Sequence, residues 1–196
     1  KSIPTRHSQP RRTLSDKKKS SRPFTRFAQS WNTLTSPSFA LVLATSIPHL
    51  TMLWNVPAID TNVRGWTFVI DTLYHIFEQQ GHGHLVAVTS VGGLRGEPMA
   101  PAYSATKAYQ INYMEALRKK AYKSGGSITV TDIRPGLVDT AMAKGDGLFW
   151  VMPVDKVADQ IISAIRKNKT KAYVTKRWHF LAIINKNLPF TLYRLL

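Results

Sequence analysis

The clearest pattern along the chain starts at Val63. Val63, Trp66, Val69, Ile70, Leu73, Ile76 and Phe77 recur at helical intervals, which predicts a helix with one apolar face. Gly81 and Gly83 stop it, because glycine weakens a helix and tolerates turn geometry. Residues 85–90 are a short apolar run closing on Thr89-Ser90, the pattern of a strand buried on both faces. Gly92, Gly93 and Gly96 then open a loop, and a second helix is predicted over residues 101–123, ended by Gly125-Gly126. Residues 127–133 read as another buried strand, closed by Pro135-Gly136. Pro153 starts a third helix with Val154, Val157, Ala158, Ile161, Ile162 and Ile165 inside, and residues 171–175 are a third strand. Helix and strand therefore alternate from residue 60 onward, which predicts an α/β fold with a parallel sheet and right-handed crossovers.

Upstream the text changes. Residues 1–37 are rich in Ser, Thr, Pro, Lys and Arg without a sustained period, and read as disordered. Residues 38–59 are mostly apolar but broken by Pro48, His49, Asn55 and Pro57, which makes them marginal as a membrane span. A basic stretch before an apolar run mimics a signal peptide, and an acid-poor Arg/Ser-rich start mimics a transit peptide; neither is the preferred reading. The expected division is a basic, low-order segment over 1–59 and a folded region over 60–196.

Charge sharpens that division. Lys and Arg number 27 against 11 Asp and Glu, a net charge of +16. Half of the excess lies in residues 1–27, with nine basic residues and the single acid Asp16. Such a field attracts nucleic acid, anionic membranes or acidic proteins. Lys17, Lys18 and Lys19 have no aromatic platform or folded motif beside them, so a solvated tail is preferred and a nucleic-acid partner is not expected. There is no cysteine, which excludes disulfides, thiolate metal sites and a cysteine nucleophile and argues against a disulfide-held secreted domain. A cytoplasmic location is expected. His82 and His84 read as part of a loop leading into a strand, and no metal site is expected.

The candidate chemistry is Tyr103-Ser104-Ala105-Thr106-Lys107. Residues four apart on a helix share a face. A free tyrosine has a pKa of about 10, and a nearby cation favours its phenolate. Such a pair can give a proton to a carbonyl oxygen or take one from an alcohol. Ser90, at the end of the predicted strand, offers a hydroxyl to the same oxygen. A Tyr-x-x-x-Lys match alone arises by chance; here it follows a buried strand and a Gly-rich loop, opens a helix, and precedes a strand ending in Pro-Gly.

With these motifs in order, residues 58–180 resemble the short-chain dehydrogenase/reductase family. Asp60-Thr61-Asn62-Val63-Arg64-Gly65 is similar to the family's N-x-x-G helix start, and residues 85–93 (LVAVTSVGG) to the strand that delivers its serine. The resemblance implies a partial Rossmann-like parallel sheet with flanking helices, and a catalytic set of Asn62, Ser90, Tyr103 and Lys107. Asn62 would hold a water linking Lys107 to solvent. Residues 134–140 (RPGLVDT) resemble the loop beside the nicotinamide. The implied cofactor, NAD or NADP, would thus meet Asn62, Tyr103, Lys107, Pro135, Gly136, Val138 and Thr140. The implied activity is hydride transfer between that cofactor and a small-molecule carbonyl/alcohol substrate. A homo-oligomer through helices 60–80 and 101–123 is also implied, although core packing gives the same repeat of Tyr109, Tyr113 and Leu117.

The chain departs from the family pattern upstream. There is no glycine before Gly65, so the Gly-rich turn that seats the pyrophosphate is missing, as are the N-N-A-G segment and the residue that selects NAD or NADP. Residues 1–59 are about half the length that region needs; a frame shift, a mis-placed gene start or a fusion is the preferred reading, and a degenerate family member that has lost its cofactor half is the other. The family sheet would then lose its first four strands and leave the edge of the Ser90 strand open, and this chain is expected to bind cofactor weakly or not at all. The rival reading is a non-catalytic protein that binds nucleic acid or an anionic membrane through its basic arm. The apolar tail from Trp178 to Leu196, with Lys176, Arg177, Lys186 and Arg194, fits packing over the domain first and peripheral membrane contact second.

Overall fold

The computed structural model describes residues 39–43, 52–139 and 150–195. The expected disorder of 1–37 lies outside the described residues, and so does Thr140.

Four parallel strands form one sheet in the order β1-β2-β3-β4. They are β1 (Phe39–Leu43), β2 (Gly83–Val88), β3 (Ile128–Pro135) and β4 (Lys171–Val174). Helix α1 (Met52–Ile59), a π-helical turn (Asp60–Gly65) and α2 (Trp66–Gln80) run continuously between β1 and β2. Helix α3 (Pro101–Lys123) joins β2 to β3, and α4 (Val154–Arg166) leads into β4. The tail folds as α5 (Lys176–Asn187) and α6 (Phe190–Tyr193). The α/β parallel architecture is therefore as the alternation implies, and α3 begins and ends where the sequence places it.

Two upstream features differ from expectation. Residues 39–43 and 52–59, expected to lack order, form β1 and α1. Phe39 to Leu43 pair in parallel with His84 to Val88, so the edge of the Ser90 strand is covered by β1. The reason is local: residues 39–43 (FALVL) are a short apolar run that an existing sheet edge can recruit by backbone hydrogen bonds, whatever its periodicity.

The core explains the helix faces. Trp66, Ile70, Tyr74 and Phe77 of α2 pack with Met114, Leu117 and Ala121 of α3 on Leu85, Ala87, Ile128 and Val130. Alternation sends Val86 to the opposite face, where it too is fully buried. Burying side chains of this size stabilises by about 1.5–3 kcal/mol each. Phe77 also fixes a neighbour: a Cβ on Gly83 would stand 2.3 Å from its ring. Gly81 ends α2 in the left-handed conformation, φ 77°, which glycine adopts without a steric penalty.

Candidate active site

The carboxyl end of the sheet gathers the candidate residues. Ser90 follows β2 in extended conformation, and its Oγ accepts the Gly92 N–H at 3.0 Å, capping a short 3₁₀ turn over Val91–Gly93. That turn lies against the first turns of α3. A Cβ on Gly92 would be 3.4 Å from both Ser90 Oγ and Tyr103 Cε1, and one on Gly93 would stand 2.6 Å from the Lys107 backbone. Only glycine at 93 lets loop and helix approach this closely.

Tyr103 and Lys107 lie one turn apart on α3. Burial pushes the Tyr103 phenol above the ordinary tyrosine range, against the opposing influence of the nearby Ser90 hydroxyl. The Lys107 Nζ sits 5.7 Å from the Tyr103 ring centroid and donates to the Val88 carbonyl at 3.5 Å. Burial lowers Lys107 to about 8, with Asp132 opposing the change. The expected direction for Tyr103 is thus corrected: desolvation outweighs any help from the ammonium, because both groups lie away from water.

Asn62 joins the site from the π-helical turn. It is fully buried, its Nδ2 donates to Thr106 Oγ1 at 3.2 Å, and its backbone carbonyl accepts from Gln110 Nε2 at 2.8 Å. Its side-chain oxygen Oδ1 has no hydrogen-bond partner. The wider π turn rotates this residue inward where a regular helix follows on either side; such bulges recur at functional sites.

Pro135, Gly136 and Val138 leave the same end of the sheet, since Val88 pairs with Ile133 and the Thr89 N–H bonds the Ile133 carbonyl at 2.8 Å. Gly136 N–H bonds Val174 O, and the Leu137 carbonyl and Asp139 N–H bond Met152. A Cβ on Gly136 would strike the Trp178 indole at 2.1 Å, so the tail covers this loop closely.

Several residues near the site were not anticipated. Thr89 Oγ1 donates to Asp132 Oδ1 at 2.6 Å, and Arg134 Nε donates to Asp132 Oδ2 at 2.6 Å. Asp132 and Arg134 are 0% and 3% exposed. Arg134 also reaches the Tyr173 hydroxyl at 3.1 Å. Opposite charges two apart in an apolar strand share a face, and that was the available signal. His84, read as loop, lies in β2 and pairs with Thr131 Oγ1 at 2.8 Å; burial lowers its pKa.

Comparisons with known proteins agree with this picture. A family model described as short chain dehydrogenase matches residues 52–147. An uncharacterized oxidoreductase of Staphylococcus haemolyticus is 33% identical over 109 residues, covering 55% of this chain and 46% of that protein. One from Staphylococcus aureus is 34% identical over 84 residues, 43% of this chain and 36% of its own length. The matched region thus spans about half, or less, of these relatives' length. Among solved structures, a short chain dehydrogenase from Burkholderia cenocepacia in complex with NADP superposes with a TM-score of 0.69 at 16% identity, over 88% of this chain and 76% of that one. A short-chain dehydrogenase from Sphingobium yanoikuyae in complex with NADPH gives 0.61 at 21% identity, over 84% and 70%. Over residues 52–147, then, the chain is similar to short chain dehydrogenases.

Proposed function

We propose that the protein is an oxidoreductase that interconverts a carbonyl and an alcohol with NAD or NADP. The observation that carries the reading is the convergence of Ser90 Oγ and the Tyr103 ring beside Gly92, with Lys107 one turn further along α3. Asn62, Ser90, Tyr103 and Lys107 are the proposed catalytic residues. Tyr103 gives its phenolic proton to the substrate oxygen in reduction and takes one back in oxidation. Ser90 donates a hydrogen bond to the same oxygen and polarises it. Lys107 holds the resulting phenolate by its charge.

The residues present fit the nicotinamide-ribose end of such a cofactor. The buried Asn62 Oδ1 lacks a partner, and Lys107 Nζ makes only a long bond to Val88 O among those described. Asn62, Tyr103, Lys107, Pro135, Gly136, Val138 and Thr140 are proposed to hold that end. When bound, the nicotinamide supplies or accepts the hydride, chemistry that no side chain provides. The structures from Burkholderia and Sphingobium contain NADP and NADPH, which favours the phosphorylated cofactor.

Helices 60–80 and 101–123 are the proposed oligomer surface, supported by the exposed Phe68, Val69 and Ile76. No helix among the described residues is long and apolar enough to cross a membrane. A cytoplasmic location is proposed on the absence of cysteine. The activity is tested with Tyr103→Phe in the full chain, assayed with NADH and NADPH against a panel of aldehydes and ketones. Loss of about 10²–10⁴-fold in turnover with unchanged circular dichroism is expected. Turnover equal to the parent's would discard the assignment.

A further inference from the structure

The tail has a second surface that the active site does not use. On α5, Trp178, Leu181, Ala182 and Asn185 form the inner stripe, with Ala182 buried and the others partly so. Phe180, Ile183 and Ile184 form the opposite stripe and are 64%, 52% and 42% exposed. In α6 and just beyond it, Phe190, Leu192 and Leu195 are exposed as well. This is fixed structure. Arg95 Nη1 donates to the Lys186 and Leu188 carbonyls at 3.3 and 2.9 Å. Its guanidinium stacks on Tyr193, whose hydroxyl donates to the Gly96 carbonyl.

A cationic groove adjoins this apolar face. It runs between α4, β4 and the start of α5, and its described lining includes Lys156, Lys167, Lys169, Lys176 and Arg177 and no carboxylate. The acids of α4, Asp155 and Asp159, lie outside the lining. The N-terminus of α5 opens into the groove, and so does Thr175, which is 6% exposed and whose Oγ1 has no hydrogen-bond partner. Backbone N–H groups at a helix start, an unsatisfied hydroxyl and converging cations are the donor set for a phosphate group. The imbalance is regional: residues 160–196 contain eight Lys and Arg and no Asp or Glu. Groove and face lie beside β4, at the opposite edge of the sheet from β1.

We propose that this end of the molecule docks on an anionic phospholipid surface, the groove receiving lipid phosphates and the exposed α5–α6 side chains entering the headgroup–acyl boundary. Phosphate donors beside large exposed apolar side chains match the two halves of a phospholipid, whereas an acidic protein partner gives the apolar stripe nothing specific to meet. Lys176 and Arg177 belong to both features: they line the groove and start α5 beside the apolar stripe. Trp150, exposed and stacked by Arg177, adds an amphipathic ring suited to a headgroup layer.

Sedimentation of the full chain with vesicles tests this. Vesicles of phosphatidylcholine with about 30% phosphatidylserine should capture the protein and pure phosphatidylcholine should not. Phe180→Ser/Ile183→Ser/Ile184→Ser and, separately, Lys176→Gln/Arg177→Gln should each lower the partition coefficient about tenfold. Helix content should stay at the parent's level. Failure of the parent chain to bind, or undiminished binding of the serine variant, overturns the proposal; the second result assigns vesicle binding to the basic residues 1–27. Conversion of a lipid-free oligomer to monomer by the serine variant also overturns it, because a second copy then covers the face. Release from vesicles by millimolar inorganic phosphate overturns it in favour of a soluble-phosphate site.

Discussion

Helices α3 and α5 invert the ordinary distribution of polarity in opposite ways. Helix α3 buries Ser104, Thr106, Lys107 and Gln110, whereas α5 leaves Phe180, Ile183 and Ile184 in solvent. Buried polar groups lose hydration and must be repaid by specific partners. On α3 those partners exist: Ser104 Oγ donates to Pro101 O and accepts from Glu97 N–H, Thr106 Oγ1 donates to Tyr103 O, and Gln110 reaches Asn62. Exposed apolar groups on α5 cost less in an isolated chain, but they gain by finding a cover. One helix is therefore organised around what it encloses, the other around what it presents.

Breaking α3 should have the larger effects. Tyr103→Phe, as above, should abolish turnover and leave binding to vesicles untouched, which separates the two regions functionally. Behind that helix, Asp132→Ala should be the most destabilising single change. It strands the buried Arg134 guanidinium and leaves Thr89 Oγ1 only its longer bond to the Ile133 carbonyl, and the expected loss is about 3–5 kcal/mol in urea denaturation. A loss below about 1 kcal/mol would mean that Tyr173 and solvent satisfy Arg134 unaided.

Lys107→Met should act in the other direction on stability. The folded pKa of Lys107, about 8, lies below its ordinary 10.5. Between those values the unfolded chain holds more protons, so stability rises with pH through that window. Above about 10 the buried Tyr74 and the partly buried Tyr103 and Tyr113, all raised, reverse the slope, because the unfolded chain then loses protons first. Replacing the ammonium should remove the rise between 8 and 10 and stabilise the chain at pH 7 by on the order of 2 kcal/mol, while turnover falls. An unchanged pH–stability curve would place the ammonium in water.

A smaller pH effect belongs to His84. Its folded pKa is lowered by burial, so the unfolded chain binds the proton first and stability falls as pH drops through the range below about 6.5. His84→Gln should flatten that limb, read from thermal melts across acid pH. The smallest effect is expected on α5: Phe180→Ser should change unfolding stability by less than about 0.5 kcal/mol. A larger loss would mean that the exposed stripe packs within this chain.

The periodic elements were legible because their signal is local. The α2 stripe holds for Trp66, Ile70 and Phe77, whereas Val69 and Ile76 are exposed and Tyr74 takes a core place; the bounds of α3 and the strand closed near Pro135-Gly136 follow from spacing, glycine and proline alone. So did the neighbourhood of Ser90, Tyr103 and Lys107, since a strand end and a helix start at one edge of a parallel sheet come together by topology. The resemblance added Asn62, whose burial nothing in the local pattern requires; the π-helical turn turns it inward. Residues 39–43 were not legible as a strand, because a short apolar run has no preference until a partner edge exists. The direction of the Tyr103 shift was missed for a related reason. Sequence names the neighbouring charge, while desolvation depends on everything packed around the pair.

What the sequence determined by itself is the alternation of elements, the residue types at the sheet's carboxyl end, and the uncompensated positive charge of the last residues. Tertiary structure alone decided that β1 closes the β2 edge, that Asp132 and Arg134 neutralise each other in the interior, and that only one apolar stripe of α5 is covered. The physical reason is common to all three. Periodicity and charge are properties of neighbours along the chain, but hydrogen-bond partners, dielectric surroundings and burial are set by residues distant in sequence and adjacent in space.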